Sequence, residues 1–345
     1  MASRDARTNE VGDGKRNPTF LFGPIPSRRL GRSLGINNIP PKVCSYSCVY
    51  CQIGLTNSMS YRRQSFFTPD DIFDEAAARI AELSRANERI DYLSFVPDGE
   101  PTLDINLGKT IDKLKKFGIK IAVITNASLI WDRDVRSGLM NADWVSLKID
   151  SVDEEVWRKI DRPHGSLHLD AIMDGAIEFS RAFKGMLVTE TMLVNGVNDR
   201  DKLLQQTGSF IARLRPSTAY ILVATRPPAE AWAIPPDEER LNTAYQIFSE
   251  RIDESSRTHE THGAVRAAGE KRITSSHLRK SEPETKKGWL NSNCLYRRRC
   301  FSPRVSADTE TISARSSSRS ETRGSRSVTW FQSAASFRQD ARESV

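Results

Sequence analysis

The spacing of hydrophobic positions in this 345-residue chain alternates between two periods along residues 20–252. Short apolar runs are typical of buried strands, whereas apolar residues that recur every three or four positions predict amphipathic helices. The predicted strands are residues 33–39, 90–96, 119–125, 144–149, 186–194 and 219–224. The predicted helices are one that begins at residue 68, then residues 107–117, 133–141, 154–160, 167–183, 201–214 and 236–252. This alternation predicts βαβ units and an α/β fold with a parallel sheet.

The number of predicted strands limits the architecture of that sheet. Six strands are too few for a closed eight-stranded barrel. A doubly wound open sheet and a partial barrel both fit the pattern. In either architecture we expect the chemical groups in the loops that follow the carboxyl ends of the strands.

Helix boundaries are marked by local signals. Thr68 can cap the first predicted helix, Pro69 suits its first position, and Asp70 and Asp71 favour the positive end of its dipole. Gly118 is placed to end the second predicted helix, because glycine readily adopts the left-handed conformation found after a helix.

The periodicity stops after Arg251. Residues 256–345 hold 17 Ser, 18 Lys and Arg, and 9 Asp and Glu, without a sustained apolar period. This composition predicts a disordered, low-complexity basic tail. An RNA-binding or phosphorylated Ser/Arg segment and a reading-frame artefact are alternatives that the composition leaves open. With a polar, disordered segment predicted for residues 1–18, the folded core is expected over residues 19–255.

The net charge of +7 suggests a nucleic-acid partner at first sight. The basic excess lies in the predicted tail, however, since residues 1–255 carry a net charge of −2. The charge therefore indicates nothing about the partner of the predicted core. No apolar stretch is long enough for a membrane span, and the first residues form no apolar signal segment, so a cytoplasmic location without membrane attachment is expected.

Three of the five cysteines lie within eight residues, as Cys44, Cys48 and Cys51. A structural zinc site usually takes four Cys or His ligands, and the first His of the chain is His164. Three thiolates on a four-iron cluster would leave one iron without a protein ligand, which suits a reactive site. Reduced core cysteines and a zinc site completed by a distant residue are the alternatives.

The C-x3-C-x2-C spacing, with the aromatic Tyr50 before the last cysteine, resembles the cluster motif of the radical S-adenosylmethionine (SAM) superfamily. The flanking residues 22–35 and 40–44 are similar to those of Fe–S oxidoreductases related to wyosine-type tRNA base synthases. Those synthases carry additional N-terminal cysteines, whereas this chain has no cysteine before Cys44. The resemblance covers about residues 20–252 and implies a radical SAM (β/α)6 partial TIM-like barrel.

This resemblance also implies the chemistry. It implies a [4Fe-4S] cluster on Cys44, Cys48 and Cys51, and cleavage of SAM to a 5′-deoxyadenosyl radical. It further implies an external electron donor such as flavodoxin or ferredoxin, with an RNA base as a candidate substrate. A radical SAM enzyme that matures a peptide or another enzyme is one alternative. A non-catalytic Fe–S or zinc protein that senses redox state is another.

Cofactor contacts follow from the resemblance by strand order. The turn at residues 98–101 is similar to the Gly-Gly-Glu-Pro turn that faces the methionine ammonium in the superfamily. The residues implied to bind the cofactor are Tyr50, Gly99, Glu100, Pro101, Asn126, Asp150 and Glu190. For Glu190 a structural ion pair is the alternative, because a buried charge on a strand needs a partner.

Four further cationic residues near the cysteines are candidates for binding. Arg28, Arg29 and Arg32 could hold a phosphate or a carboxylate, since the guanidinium fork matches both groups. Lys42 is a candidate amine for a Schiff base. A solvated surface position is the alternative for each of them.

Overall fold

The computed structural model describes residues 19–257 and 264–267. Its strands are β1 (Leu21–Ser27), β2 (Gly31–Ile36), β3 (Val43–Cys44), β4 (Ser58–Met59), β5 (Tyr92–Phe95), β6 (Lys120–Thr125), β7 (Trp144–Lys148), β8 (Met186–Met192), β9 (Thr218–Leu222) and β10 (Ala264–Ala267). Its helices are α1 (Pro69–Arg85), α2 (Leu107–Leu114), α3 (Arg133–Leu139), α4 (Glu154–Asp161), α5 (Leu169–Ala182), α6 (Asp201–Leu214) and α7 (Glu238–Arg257).

Eight of these strands form one sheet in the order β1-β2-β5-β6-β7-β8-β9-β10. Strand β1 pairs antiparallel with β2, and every other neighbouring pair is parallel. Across the described residues, β1 and β10 are the two ends of this order and do not pair with each other. The sheet is therefore an open, partial barrel, and the α/β prediction is confirmed.

The six predicted strands are confirmed as β2 and β5 to β9, with boundaries that differ by a few residues. Local signals at the helix ends are confirmed as well. The Thr68 hydroxyl accepts a hydrogen bond of 3.1 Å from the Asp71 N–H. Gly118 lies in the left-handed region, with φ 67°, after the short turn that extends α2.

Four strands were missed by the sequence pattern: the two-residue strands β3 and β4, and strands β1 and β10 of the main sheet. Strand β1 contains Gly23, Pro24 and Pro26, which are uncommon in strands. The sequence of residues 21–27 therefore did not predict a strand. Strand β10 lies inside residues 256–345, where a disordered tail was expected, and pairs in parallel with β9. Four residues give too short a pattern to be recognised before the pairing partner is known. The rest of that predicted tail, and residues 1–18, lie outside the described residues.

The two faces of the sheet have different neighbours. On β6, Ile121 and Val123 pack with the helices, whereas Ala122 and Ile124 point to the opposite face. The residues that cluster on this second face are Leu30, Ala122, Trp144 and Val188, with Tyr92, Ile124 and Tyr220 against them. No helix residue belongs to this cluster within the described chain, so we call this surface the inner face.

Candidate cofactor site

The three cysteines lie on one closed loop after β2. Cys44 ends β3, and the Ser60 N–H donates to its carbonyl at 3.0 Å, which closes the loop behind residues 44–59. The Cys51 N–H donates to the Cys48 carbonyl at 3.1 Å, so these two residues share a tight turn. All three are free thiols with partial exposure. The loop therefore presents three sulfur atoms from a short, hydrogen-bonded segment.

Thiolate sulfur atoms are the usual protein ligands of iron–sulfur clusters, and this loop supplies three cysteines. Within the described residues, no three His, Cys, Asp or Glu side chains converge as ligands of one ion. Burial and the charge of Glu100 raise the pKa of the Cys44 thiol to about 12, so the thiolate needs a positive partner to form. A four-iron cluster binds each thiolate on a different iron, which suits three cysteines on one loop.

The turn at residues 98–101 docks against the start of this loop. The Lys42 N–H donates to the Asp98 carbonyl at 2.6 Å, and the Glu100 N–H donates to the Val43 carbonyl at 3.1 Å. A Cβ atom on Gly99 would overlap the Val43 carbonyl oxygen. Glycine at this position is what allows the turn and the cysteine loop to approach so closely.

Glu100 follows in the turn and is fully buried. Its Oε1 accepts from the Thr102 N–H at 3.0 Å, from the Thr102 hydroxyl at 2.6 Å and from the Thr125 hydroxyl at 2.6 Å. Its Oε2 accepts from the Asn126 N–H at 2.7 Å. Pro101 is buried beside it, and its carbonyl accepts from the Asn38 amide at 3.0 Å. The Glu100 carboxylate thus joins its own turn to the end of β6.

Asn126 connects that strand end to the first cysteine. Its side-chain amide donates to the Ser45 hydroxyl at 2.9 Å and to the Cys44 sulfur at 3.6 Å. The Ser45 hydroxyl also contacts the Ser128 hydroxyl at 2.5 Å. A continuous set of contacts therefore runs from Glu100 through Asn126 to Cys44.

A second polar group meets the loop from β7 and α4. The Tyr50 hydroxyl lies within hydrogen-bonding distance of both the Asp150 carboxylate and Asp161, at 3.0 Å from the latter. The Cys48 thiol lies 3.4 Å from the same Asp161 oxygen. Burial raises the pKa of Asp161 well above its ordinary value, and the neighbouring Asp150 carboxylate raises it further. The Tyr50 hydroxyl therefore lies between two neighbouring buried carboxylates.

Asp161 is the residue that sequence reasoning missed. It is the last residue of α4, and no local motif marks it. It reaches the site because α4 packs on the cysteine loop, where the Ser47 N–H donates to the Asp161 carbonyl and the Val49 N–H to the Ile160 carbonyl. Only this packing brings the carboxylate to Cys48.

Glu190 lies apart from the cysteine contacts. It forms an ion pair with Arg29 and accepts from the Ser146 hydroxyl at 2.9 Å. The structure therefore contains an ion pair at Glu190, which was the alternative to cofactor binding for this residue. Arg32 likewise pairs with a carboxylate of this chain, the exposed Glu88. Lys42 adopts a left-handed backbone conformation, with φ 62°, at the start of the cysteine loop.

Comparison with known proteins indicates the family of this chain. The Radical SAM superfamily matches residues 38–206. A UPF0026 protein of Methanocaldococcus jannaschii is 50% identical over 234 residues, which cover 68% of this chain and 72% of that protein. An S-adenosylmethionine-dependent nucleotide dehydratase of Lacinutrix mariniflava is 27% identical over 189 residues, which cover 52% of this chain and 36% of that protein.

Among solved structures, TYW1 with a lysine-pyruvate adduct bound superposes with a TM-score of 0.48 at 15% identity, over 64% of this chain and 73% of that chain. Within the described residues, no helix combines the length and apolar character needed to cross a membrane. The superfamily match and the 50% identity to a relative covered over most of its length show that this chain is an enzyme of the radical SAM superfamily, in the group of UPF0026 proteins.

Proposed function

We propose that Cys44, Cys48 and Cys51 hold a [4Fe-4S] cluster and that SAM binds beside it, between the cysteine loop and the carboxyl ends of the strands. The observation that carries this proposal is the single loop of three free thiols that docks on the 98–101 turn. When bound, the reduced cluster and SAM supply one-electron cleavage of a C–S bond, which yields methionine and a 5′-deoxyadenosyl radical. The electron comes from an external donor such as flavodoxin or ferredoxin.

The residues of the chain position and shield that chemistry. Gly99, Glu100 and Pro101 hold the turn against the loop, and Asn126 orients the segment around Cys44. We assign this side of the site to the amino-acid part of SAM, whose ammonium meets carbonyl and carboxylate oxygens. We assign the remaining part of SAM to the second polar group.

Tyr50 and Asp150 form that second group with Asp161. We assign them to the hydroxyl-bearing part of SAM, because buried carboxylates with a shared hydroxyl are acceptors for hydroxyl donors. Lys148 lies beside them, with its ammonium 4.8 Å from the centre of the Tyr50 ring. Its positive charge offsets part of the negative charge of the two carboxylates.

For the substrate we propose a nucleotide base, free or within RNA. The support is the similarity to a relative named as a nucleotide dehydratase. A peptide or protein substrate is the second candidate. The two are separated by incubating the reduced enzyme with SAM and with nucleotides, RNA or peptides in turn. A true substrate raises the yield of 5′-deoxyadenosine and is itself consumed, so consumption of a peptide alone would reject the nucleotide proposal.

The cluster proposal is tested with anaerobically reconstituted Cys48→Ser. This variant should lose most of its iron and all reductive cleavage of SAM, because a serine oxygen is a poor replacement for a thiolate ligand. Cys294→Ser is the matched control, since that cysteine belongs to no assigned site, and it should keep both properties. Unchanged iron content in Cys48→Ser would remove the basis of the proposal.

A further inference from the structure

The turn between β1 and β2 enters the inner face of the sheet. Leu30 in this turn is buried in one apolar cluster with Trp144 of β7 and Val188 of β8. Arg29, the preceding residue, pairs with Glu190 of β8 and lies 5.3 Å from the centre of the Tyr220 ring on β9. A turn from one end of the strand order thus contacts strands close to the other end.

Glu190 lies at the centre of a row across three strands. Lys148 on β7 is in register with Glu190, and Glu190 is in register with Tyr220 on β9. Side chains in register on neighbouring parallel strands share one face of a sheet, so this row lies on the inner face. Burial would raise the pKa of Glu190, but Arg29 and Lys148 hold it below its ordinary value. Glu190 is therefore a buried carboxylate that two cations keep charged.

Lys148 is the end of this row that lies next to the cysteine loop. Its ammonium faces the Tyr50 ring at 4.8 Å. Burial would lower the pKa of Lys148, but the charges of Asp150, Cys48 and Glu190 raise it above its ordinary value. One ammonium group is thus attracted by Asp150 on the loop side and by Glu190 on the row side. Without Arg29, Lys148 would be the remaining cation next to Glu190 among these residues.

We propose that Arg29 is a positioning residue, which by neutralising Glu190 leaves Lys148 directed towards Asp150 and Tyr50. The proposal rests on the proposed function, because Asp150 and Tyr50 are assigned there to SAM. It gives the β1–β2 turn a role in the cofactor site that the turn does not touch directly.

The test measures SAM binding by equilibrium dialysis with the anaerobically reconstituted full chain. Arg29→Met should weaken SAM binding by about tenfold, the scale of one lost charge-assisted hydrogen bond. The double variant Arg29→Met with Glu190→Gln should recover to within about threefold of the wild type, because the competing carboxylate is gone. Glu190→Gln alone and Arg29→Lys should each stay within about the same range.

Arg32→Met is the matched control, because Arg32 starts β2 in the same hairpin but pairs with the exposed Glu88. It should bind SAM as the wild type does. Equal affinity in Arg29→Met and the wild type would overturn the proposal, and so would a double variant as weak as the single one. Weak binding by Glu190→Gln alone would assign Glu190 to direct cofactor contact and reject positioning by Arg29.

The wild-type measurement separates this inference from the proposed function. A wild type that does not bind SAM would overturn both together. A wild type that binds SAM, with no loss in Arg29→Met, would overturn this inference alone. Circular dichroism checks that each variant is folded. If Arg29→Met does not fold, the proposal is decided by Glu190→Gln and Arg29→Lys, which must both keep their affinity for it to stand.

Discussion

At the scale of single residues, the site depends on groups that hold the cysteine loop in place. Gly99 permits the close approach of two backbone segments, and Glu100 accepts four hydrogen bonds from three residues. Neither effect requires a bound cofactor. Substitutions here are therefore expected to change the stability of the chain as well as its binding of iron and SAM.

Gly99→Ala should destabilise the folded chain by about 1–3 kcal/mol, because its methyl group would overlap the Val43 carbonyl. We also expect reduced iron retention after reconstitution. Gly165→Ala is the control, since a Cβ atom there has no atom within 4 Å. Denaturant unfolding and iron analysis measure both effects. If the two variants unfold alike, the contact between the turn and the loop has no structural importance.

Glu100→Gln should cost about 1–3 kcal/mol of unfolding free energy, since an amide nitrogen would face an N–H or hydroxyl donor in a buried site. The surface variant Glu88→Gln removes only an exposed ion pair and should cost less than about 1 kcal/mol. Chemical denaturation compares the two. Similar losses would show that the four hydrogen bonds to Glu100 contribute little.

The carboxyl group of Asp104 should make stability depend on pH. Burial raises its pKa to about 6 from an ordinary 3.8. The folded state therefore binds a proton at Asp104 more tightly than the unfolded state does. The contribution of Asp104 to the free energy of unfolding falls as the pH rises from 3.8 to about 6, and it levels off at higher pH. Relative to Asp104→Asn, the wild type should lose about 1.4 kcal/mol between pH 5 and pH 8. If the free energy of unfolding of the two proteins changes equally with pH, the raised pKa of Asp104 is contradicted.

At the scale of elements, two edge segments complete the sheet and the inner face. The β1–β2 hairpin places Leu30 and Arg29 among β6 to β9. Strand β10 pairs with β9 and covers an edge that would otherwise expose unpaired backbone groups. Both segments have weak strand patterns, so their structure depends on the partners that they meet.

A chain ended after Arg257 should melt about 5 °C below one ended after Arg272, because only the longer chain keeps β10. The shorter chain should also aggregate more readily through the uncovered edge of β9. Scanning calorimetry and light scattering measure the two effects. Identical melting temperatures would show that β10 adds nothing to the stability of the sheet.

At the scale of the whole molecule, we propose that the catalytic core spans residues 19–255 together with β10. We propose that the other basic residues of 256–345 act independently of this core. Residues 256–345 carry a net charge of +9, whereas residues 1–255 carry −2. Such a distribution favours non-specific attraction of the C-terminal part to phosphates, independent of the cofactor site.

This separation predicts RNA binding that depends on salt. The full chain should bind a generic RNA, and its affinity should fall steeply between 50 and 200 mM salt as phosphate contacts are lost. The chain ended after Arg272 should bind this RNA weakly at either salt concentration while it retains SAM cleavage. Filter binding checks the first expectation and 5′-deoxyadenosine production the second. Equal RNA affinity of both chains would assign RNA binding to the core.

The sequence by itself determined the elements and motifs whose signals are local. The apolar periods predicted β2 and β5 to β9, and three closely spaced cysteines marked the cysteine loop, because each of these signals lies within a few neighbouring residues. Only the tertiary structure decided which distant groups meet. Asp161 reaches Cys48 through the packing of α4, and Arg29 reaches Glu190 across the inner face. These contacts join residues that are far apart in the chain, so the spacing of neighbouring residues in the sequence cannot predict them.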